Sequence, residues 1–201
     1  MSLRFVLGKS GSGKTEFCLT EALTNKEKSI VIVPEQYSFT AEKLLAGRAS
    51  VYGFGLIDVF SFKRLAQRIL PASSGAALRR LNRSGKSILI QKILIDNADK
   101  LTVLRKAAAE SGTAVDLAKL FGEFKRYNIS AESLQATAGE LKINKLCEIS
   151  LLYSEYQRYI KDSYIDSDDD LQTLSEQLLS SDFLLNTNVY IDSFEGFTPS
   201  E

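Results

Sequence analysis

The feature that most constrains this chain is Gly8-Lys9-Ser10-Gly11-Ser12-Gly13-Lys14-Thr15, a G-x-x-x-x-G-K-[ST] run near its start. Glycines in such a run let successive backbone N–H groups turn toward a phosphate with no Cβ in the way. Lys14 then brings a mobile charge to the β and γ phosphates, the Thr15 hydroxyl meets magnesium, and a helix opening at Lys14 sets its N-terminal dipole on the anion. All eight residues are therefore candidate ligands of ATP or GTP. The short run Leu3-Arg4-Phe5-Val6-Leu7 ahead of them reads as a strand, and residues 14–23 read as a helix.

Two further strand signals follow. Ser29-Ile30-Val31-Ile32-Val33 is a continuous apolar run of the kind buried on both faces of a parallel sheet, ended by Pro34, with a helix over residues 39–45. Leu56-Ile57-Asp58-Val59 is the next strand, and Ser61 is placed to cap a helix whose Phe62, Leu65, Ala66, Ile69 and Leu70 share one face. After Pro71 and the small residues 72–77, helical spacing replaces strand spacing for over a hundred residues. Stripes run through Leu117, Leu120, Phe121 and Phe124, through Leu146, Ile149, Tyr153, Tyr156 and Ile160, and through Leu171, Leu174 and Leu178. The Asp166–Asp170 run reads as a helix N-terminus, and Lys125 with Arg126 as a solvent-facing pair at a helix end. Strand character returns in Asn188 to Phe194. The expectation is an α/β core of parallel strands near residues 3, 29, 56 and 188, formed by 1–73 and 185–201, with a helical insertion over 74–184.

Formal charge balances at 25 bases and 25 acids, so the distribution carries the information. Lys63, Arg64, Arg68, Arg79, Arg80, Arg83, Lys86 and Lys92 fall between Phe60 and Ile95 without one acid, whereas residues 162–201 hold ten acids and no base. The first block suits a polyanion; alternatively the two blocks face each other or solvent. Cys18 and Cys147 are far apart in a chain with no histidine, which excludes a zinc site and leaves them as small core residues. No run approaches the roughly 20 apolar residues of a membrane span, and Met1-Ser2-Leu3-Arg4 leads into structure rather than a cleavable signal, so a cytoplasmic protein is expected.

A site that hydrolyses nucleotide needs a second carboxylate at the C-terminal end of a neighbouring strand to hold magnesium. Asp192, closing Val189-Tyr190-Ile191, is the preferred candidate, and Asp58 the competing one. The next position, a water-polarising glutamate in motor ATPases of this layout, is Ser193, which is no base near neutral pH; Glu195 is the nearest substitute.

The chain resembles the B subunit of the bacterial AddAB (RexAB) helicase-nuclease, a relative of superfamily 1 helicases. The resemblance rests on Phe5 to Thr15, Val33-Pro34-Glu35-Gln36, Val59-Phe60-Ser61-Phe62-Lys63-Arg64-Leu65-Ala66, Glu123 to Ser130, and Tyr190-Ile191-Asp192-Ser193-Phe194-Glu195-Gly196-Phe197-Thr198-Pro199. It implies a RecA-like, P-loop NTPase core in which residues 37–45 correspond to helicase motif Ia, 59–70 to motif Ib and 190–192 to motif II. It further implies the N-terminal part of an ATP-dependent helicase and exodeoxyribonuclease that processes double-strand DNA ends for recombinational repair, paired with an A subunit that is the motor. The nuclease domain and its iron-sulfur cluster would lie in a C-terminal region that this chain lacks. Lys63, Arg64 and Arg68 fall on the motif Ib-like helix, where such proteins touch single-strand phosphates, and Arg79, Arg80 and Arg83 extend the basic stretch. Phe62 is placed to stack a base, although its spacing favours the core. Ser193, and the lack of an adenine-reading glutamine segment ahead of the loop, point to a protein that binds ATP without being the main motor. The rival readings are a small-molecule or nucleotide kinase, with the Arg79–Arg83 cluster as its lid, and a nucleotide-stabilised scaffold.

Overall fold

The computed structural model describes residues 3–48, 56–73, 79–161 and 163–201, with residues 71–73 and 111 described by backbone alone. The chain divides into two compact units, one of Met1–Ser73 with Thr173–Phe197 and one of Ser74–Gln172 with Thr198–Glu201. The small-residue run expected over 72–77 lies outside the described residues from position 74.

The first unit is built on three parallel strands, β1 (Lys28–Ile32), β2 (Ile57–Phe60) and β5 (Thr187–Ile191), in the order β2-β1-β5. Ile30 pairs with Asp58 on one side and Val189 on the other. β1 is central and buried because its apolar run offers no polar face. Val31 and Val33 pack with Leu19 and Ala22 of α1 (Lys14–Thr24) and with Ala41 and Leu45 of α2 (Ser38–Ala46). Ile30 and Ile32 alternate to the other face. Helix α3 (Phe62–Ser73) packs against β2 and buries Leu65, Ala66, Ile69 and Leu70. Its Ser61 cap is as expected, since the Arg64 N–H donates to Ser61 Oγ at 3.2 Å.

The strand expected at Leu3–Leu7 is not formed. Residues 3–7 belong to neither sheet, and Leu3, Phe5 and Leu7 are 74–88% exposed. The segment is held through its side chains instead, with Arg4 bonded to the Glu21 carboxylate and 5.2 Å from the Phe17 ring centroid. Without a ladder partner, an apolar run of this length has nothing to hold it extended against a sheet.

The second unit is mostly helical, but it also contains two three-residue strands that helical spacing hides: β3 (Arg79–Leu81) and β4 (Tyr164–Asp166), paired in parallel. Helices α4 (Arg83–Asp96), α5 (Ser111–Arg126), α6 (Ala131–Leu141) and α7 (Asn144–Ile160) enclose Ile90, Ile93, Leu94, Phe121, Phe124, Leu152, Tyr153 and Tyr156. The α5 and α7 stripes are therefore core, as their spacing implies. Helix α8 (Asp170–Leu178), most of which belongs to the first unit, buries Leu174. Cys147 is exposed and Cys18 half-buried, so Cys147 is not the core residue expected.

The acidic run does lead into a helix, α8 starting at Asp170, but most of its carboxylates are engaged otherwise. Asp166 lies in β4, and its buried Oδ2 accepts from Lys86 at 3.2 Å, Lys125 at 2.8 Å and the Tyr156 hydroxyl at 2.6 Å. Lys125 also donates to Asp169 at 2.7 Å, and Lys86 to Asp168. Only Asp170 lies in the first turn of α8, where it receives a bidentate pair from Arg80 at 2.8 and 3.0 Å. Lys125 is thus buried and paired; Arg126, its sequence neighbour, is exposed. Gly122 makes room for the cluster, because a Cβ there would come within 2.8 Å of Asp168 Oδ2. Glu148 plays a comparable part elsewhere in the unit, accepting from the backbone N–H groups of Thr102, Val103 and Leu104 at 2.7–2.8 Å and from the Thr102 hydroxyl at 2.6 Å.

These bonds decide the acid response. Burial alone would raise both carboxyls, but Lys125 and Lys86 hold Asp166 at about 2, and the donors of residues 102–104 hold Glu148 at about 2. Both pKa values lie below their ordinary values, so the stability they contribute is complete above the normal carboxyl range and is lost as pH falls toward about 2. Asp169, raised by burial, acts in the opposite sense. Lys125→Met should cost up to about 3 kcal/mol in urea unfolding, because it removes one of the two lysines that compensate the buried Asp166. It should also shrink the loss of stability between pH 4 and pH 2; an unchanged acid limb would contradict this assignment.

Candidate functional site

The loop from Gly8 to Thr15 closes as its glycines require. Gly11 and Gly13 adopt φ of 74° and 84°, the left-handed region that L side chains rarely enter. A Cβ at Gly8 would collide with the Ser12 side chain. The Ser12 N–H donates to the Lys9 carbonyl at 3.2 Å, which turns the loop. Gly13 is the N-cap of α1 and offers no side-chain acceptor; the first intrahelical bond is Phe17 N–H to Gly13 O at 2.9 Å. The N–H groups of the first turn are therefore left to face the loop. Lys14 folds back over the same loop and donates to the carbonyls of Gly8 at 2.9 Å and Lys9 at 2.8 Å. Lys9, Ser10, Gly11 and Ser12 are exposed, while Lys14 and Thr15 are half-buried.

The two candidate carboxylates stand at different places on the sheet. Asp192 follows β5 directly, and its N–H donates to Ile32 O at 3.0 Å, carrying the β1–β5 ladder one residue past the strand. Helix α1 packs on β1 and β5. Cys18, one turn beyond Thr15 on α1, has its thiol pushed up by burial and then by the Asp192 charge. Asp58 is mid-strand in β2, on the far side of β1. It lines a cavity of about 290 Å³ together with Leu23, Glu42, Leu45, Val59 and Arg64, and no phosphate-loop residue is among them. Glu195 is exposed three residues past Asp192. Ser193 has φ of 65°, and its hydroxyl donates to Asp192 Oδ2 at 3.2 Å.

The C-terminal edge of the sheet also carries an aromatic group. Phe62 lies 5.4 Å from Phe194 and 6.4 Å from Phe197 between ring centroids, and Phe194 and Phe197 stack at 5.0 Å. Phe62 is therefore only partly core, and Phe197 remains 58% exposed. Spacing in the Phe194-Glu195-Gly196-Phe197 segment is a visible signal for the second and third rings, but nothing local pairs them with Phe62. On α3, Lys63, Arg64 and Arg68 are all exposed, with Arg64 pairing to Glu42 at 2.8 Å. An exposed pair of this kind is worth little. Arg79, Arg80 and Arg83 belong to the other unit and are all exposed, Arg80 while paired with Asp170; Lys86 is buried against Asp166 and Asp168. Those pairs join the basic block to the acidic one.

Among the described residues no group of three or more Cys, Asp or Glu is arranged to hold a metal alone, and no helix is long and apolar enough to cross a membrane. A protein-family model described as "ADDB, N-terminal" matches residues 5–201. The whole chain aligns at 37% identity with the B subunit of the ATP-dependent helicase/deoxyribonuclease of Clostridium kluyveri, at 37% with that of Clostridium botulinum and at 36% with that of Bacillus anthracis. It covers 18%, 18% and 19% of those proteins, less than a fifth of their length.

Proposed function

The chain belongs to the AddB N-terminal family, and from that premise we propose that it is the ATP-binding part of a helicase-nuclease subunit that processes DNA double-strand breaks for recombination. The observation that carries the nucleotide reading is the loop itself, with left-handed Gly11 and Gly13, an uncapped helix start, and Lys14 drawn across it. Residues 8–15 would hold the phosphates, and Thr15 with Asp192 would hold magnesium. The donor set fits that ion, being oxygens only: a hydroxyl and a carboxylate, leaving positions for water and phosphate. Magnesium would supply charge neutralisation between the phosphates.

Hydrolysis has weaker support. Ser193 cannot serve as a base, and Glu195 is exposed further along the chain, so the site is better suited to holding ATP than to turning it over. The core would be of the RecA-like P-loop type, with the helical stretch 74–184 as an insertion, and the protein would act in a heterodimer whose A subunit is the motor. The relatives are named as the B subunit of a helicase/deoxyribonuclease, which supports a partner and a DNA substrate.

For DNA, the exposed Lys63 and Arg68 on α3 would meet phosphates, and the Phe62, Phe194 and Phe197 group, adjoining that helix through Phe62, would offer an aromatic surface to a base. The alternative kinase reading would use the Arg79–Arg83 cluster as its lid, of which Arg80 is paired with Asp170.

Lys14→Ala should remove the rise in melting temperature that ATP and magnesium produce, while leaving the nucleotide-free melting temperature unchanged. Persistence of the rise in that variant would refute the assignment. Charge reversal at Lys63 and Arg68 should weaken single-stranded DNA binding about equally for all sequences. It should also flatten the dependence on salt by roughly one unit of slope for each phosphate no longer neutralised. Fluorescence anisotropy at several salt concentrations reads both; an unaltered slope would assign α3 to solvent.

A further inference from the structure

Resting on the magnesium–nucleotide reading above, we propose that Ser193 is a positioning residue whose hydroxyl fixes the Asp192 carboxylate. Four described residues other than glycine have positive φ: Asn128, Lys142, Asn186 and Ser193. Asn128 and Lys142 follow the ends of α5 and α6, where a left-handed residue commonly ends a helix, and Asn186 is a turn residue before β5. Ser193 has no such reason. Serine gains little in this conformation, yet φ is 65° directly after a strand.

The backbone is held on both sides of it. On one side the Asp192 N–H is bonded to Ile32 O at 3.0 Å, so residue 192 is fixed by the central strand. On the other, the Phe194 ring packs between Phe62 and Phe197 at centroid distances of 5.4 and 5.0 Å. Residue 193 absorbs the turn between these anchors. In that turn its hydroxyl donates to Asp192 Oδ2 at 3.2 Å. A carboxylate with one oxygen held by a donor has its rotation restricted and its other oxygen left to act as an acceptor. Outer partners of this kind orient metal-binding carboxylates and commonly alter metal affinity about 10–100-fold when removed.

Ser193 therefore does at its position something a catalytic glutamate would not: it supports binding of the ion without providing a base. The position also bears on why the hydroxyl matters and not merely the bend. Glycine would accept the same φ with less strain but would leave the Asp192 carboxylate without its donor.

The test is ATP binding by the intact chain at fixed ATP, titrated with magnesium and read both as bound nucleotide and as melting temperature. Ser193→Ala should raise the magnesium concentration for half-maximal effect about tenfold, with magnesium-free ATP binding unchanged. Ser193→Gly should show the same loss despite its relaxed backbone. Ser193→Asn, which tolerates the left-handed region and carries an amide donor, should restore most of the response. Wild-type behaviour in the alanine variant would overturn the proposal, as would full rescue by glycine, which would make the backbone and not the hydroxyl responsible. If the unsubstituted chain binds no ATP, the phosphate-loop reading falls and this proposal with it. If it binds ATP with magnesium but is indifferent to residue 193, only the proposal falls.

Discussion

The parallel ladder around β1 is the constraint on which the candidate site depends. Parallel strands end on one edge, and here the ladder is extended past the strands by two bonds, Val33 N–H to Phe60 O and Asp192 N–H to Ile32 O. Those bonds fix the backbone where Pro34, Ser61 and Ser193 begin their turns. β1 can sit between two neighbours because Ile30, Val31, Ile32 and Val33 are all buried, so neither face asks for water. Position at this edge follows from strand order, and the side chains found there are those that chemistry at the C-terminal ends of parallel strands would use.

Much of this was legible in local sequence. The glycine loop names its own backbone, and Ser61 announces α3 because a hydroxyl three residues before an N–H is a sufficient cap. The apolar run of β1 needs no context to be read as a buried strand. What sequence could not show was long-range partnership. Leu3 to Leu7 has strand chemistry but no ladder, and periodicity reports preference rather than pairing. The three-residue strands β3 and β4 are shorter than any period that would reveal them, and their pairing joins positions more than eighty residues apart.

Which charges are paired is equally a matter of long-range partnership. Lys125 and Arg126 look alike as neighbours in sequence, but they occupy opposite environments: one is buried against Asp166 and Asp169, and the other is exposed. Part of the apparent contrast between a basic and an acidic block is internal neutralisation, through Arg80 with Asp170 and Lys86 with Asp166 and Asp168. This leaves a smaller basic surface than composition suggests, concentrated for the first unit on the outer side of α3. A charge run becomes a surface only where no partner reaches it.

The central claim is that the loop from Gly8 to Thr15 holds a magnesium-bound nucleotide in a chain poorly equipped to cleave it. Equilibrium titration of the intact chain with ATP, with and without magnesium and with product phosphate followed in the same samples, tests both halves. The account predicts saturable binding of one ATP per chain, tightened by magnesium, with phosphate release close to background. Absence of saturable binding at millimolar ATP would contradict it, and so would rapid turnover by this chain alone.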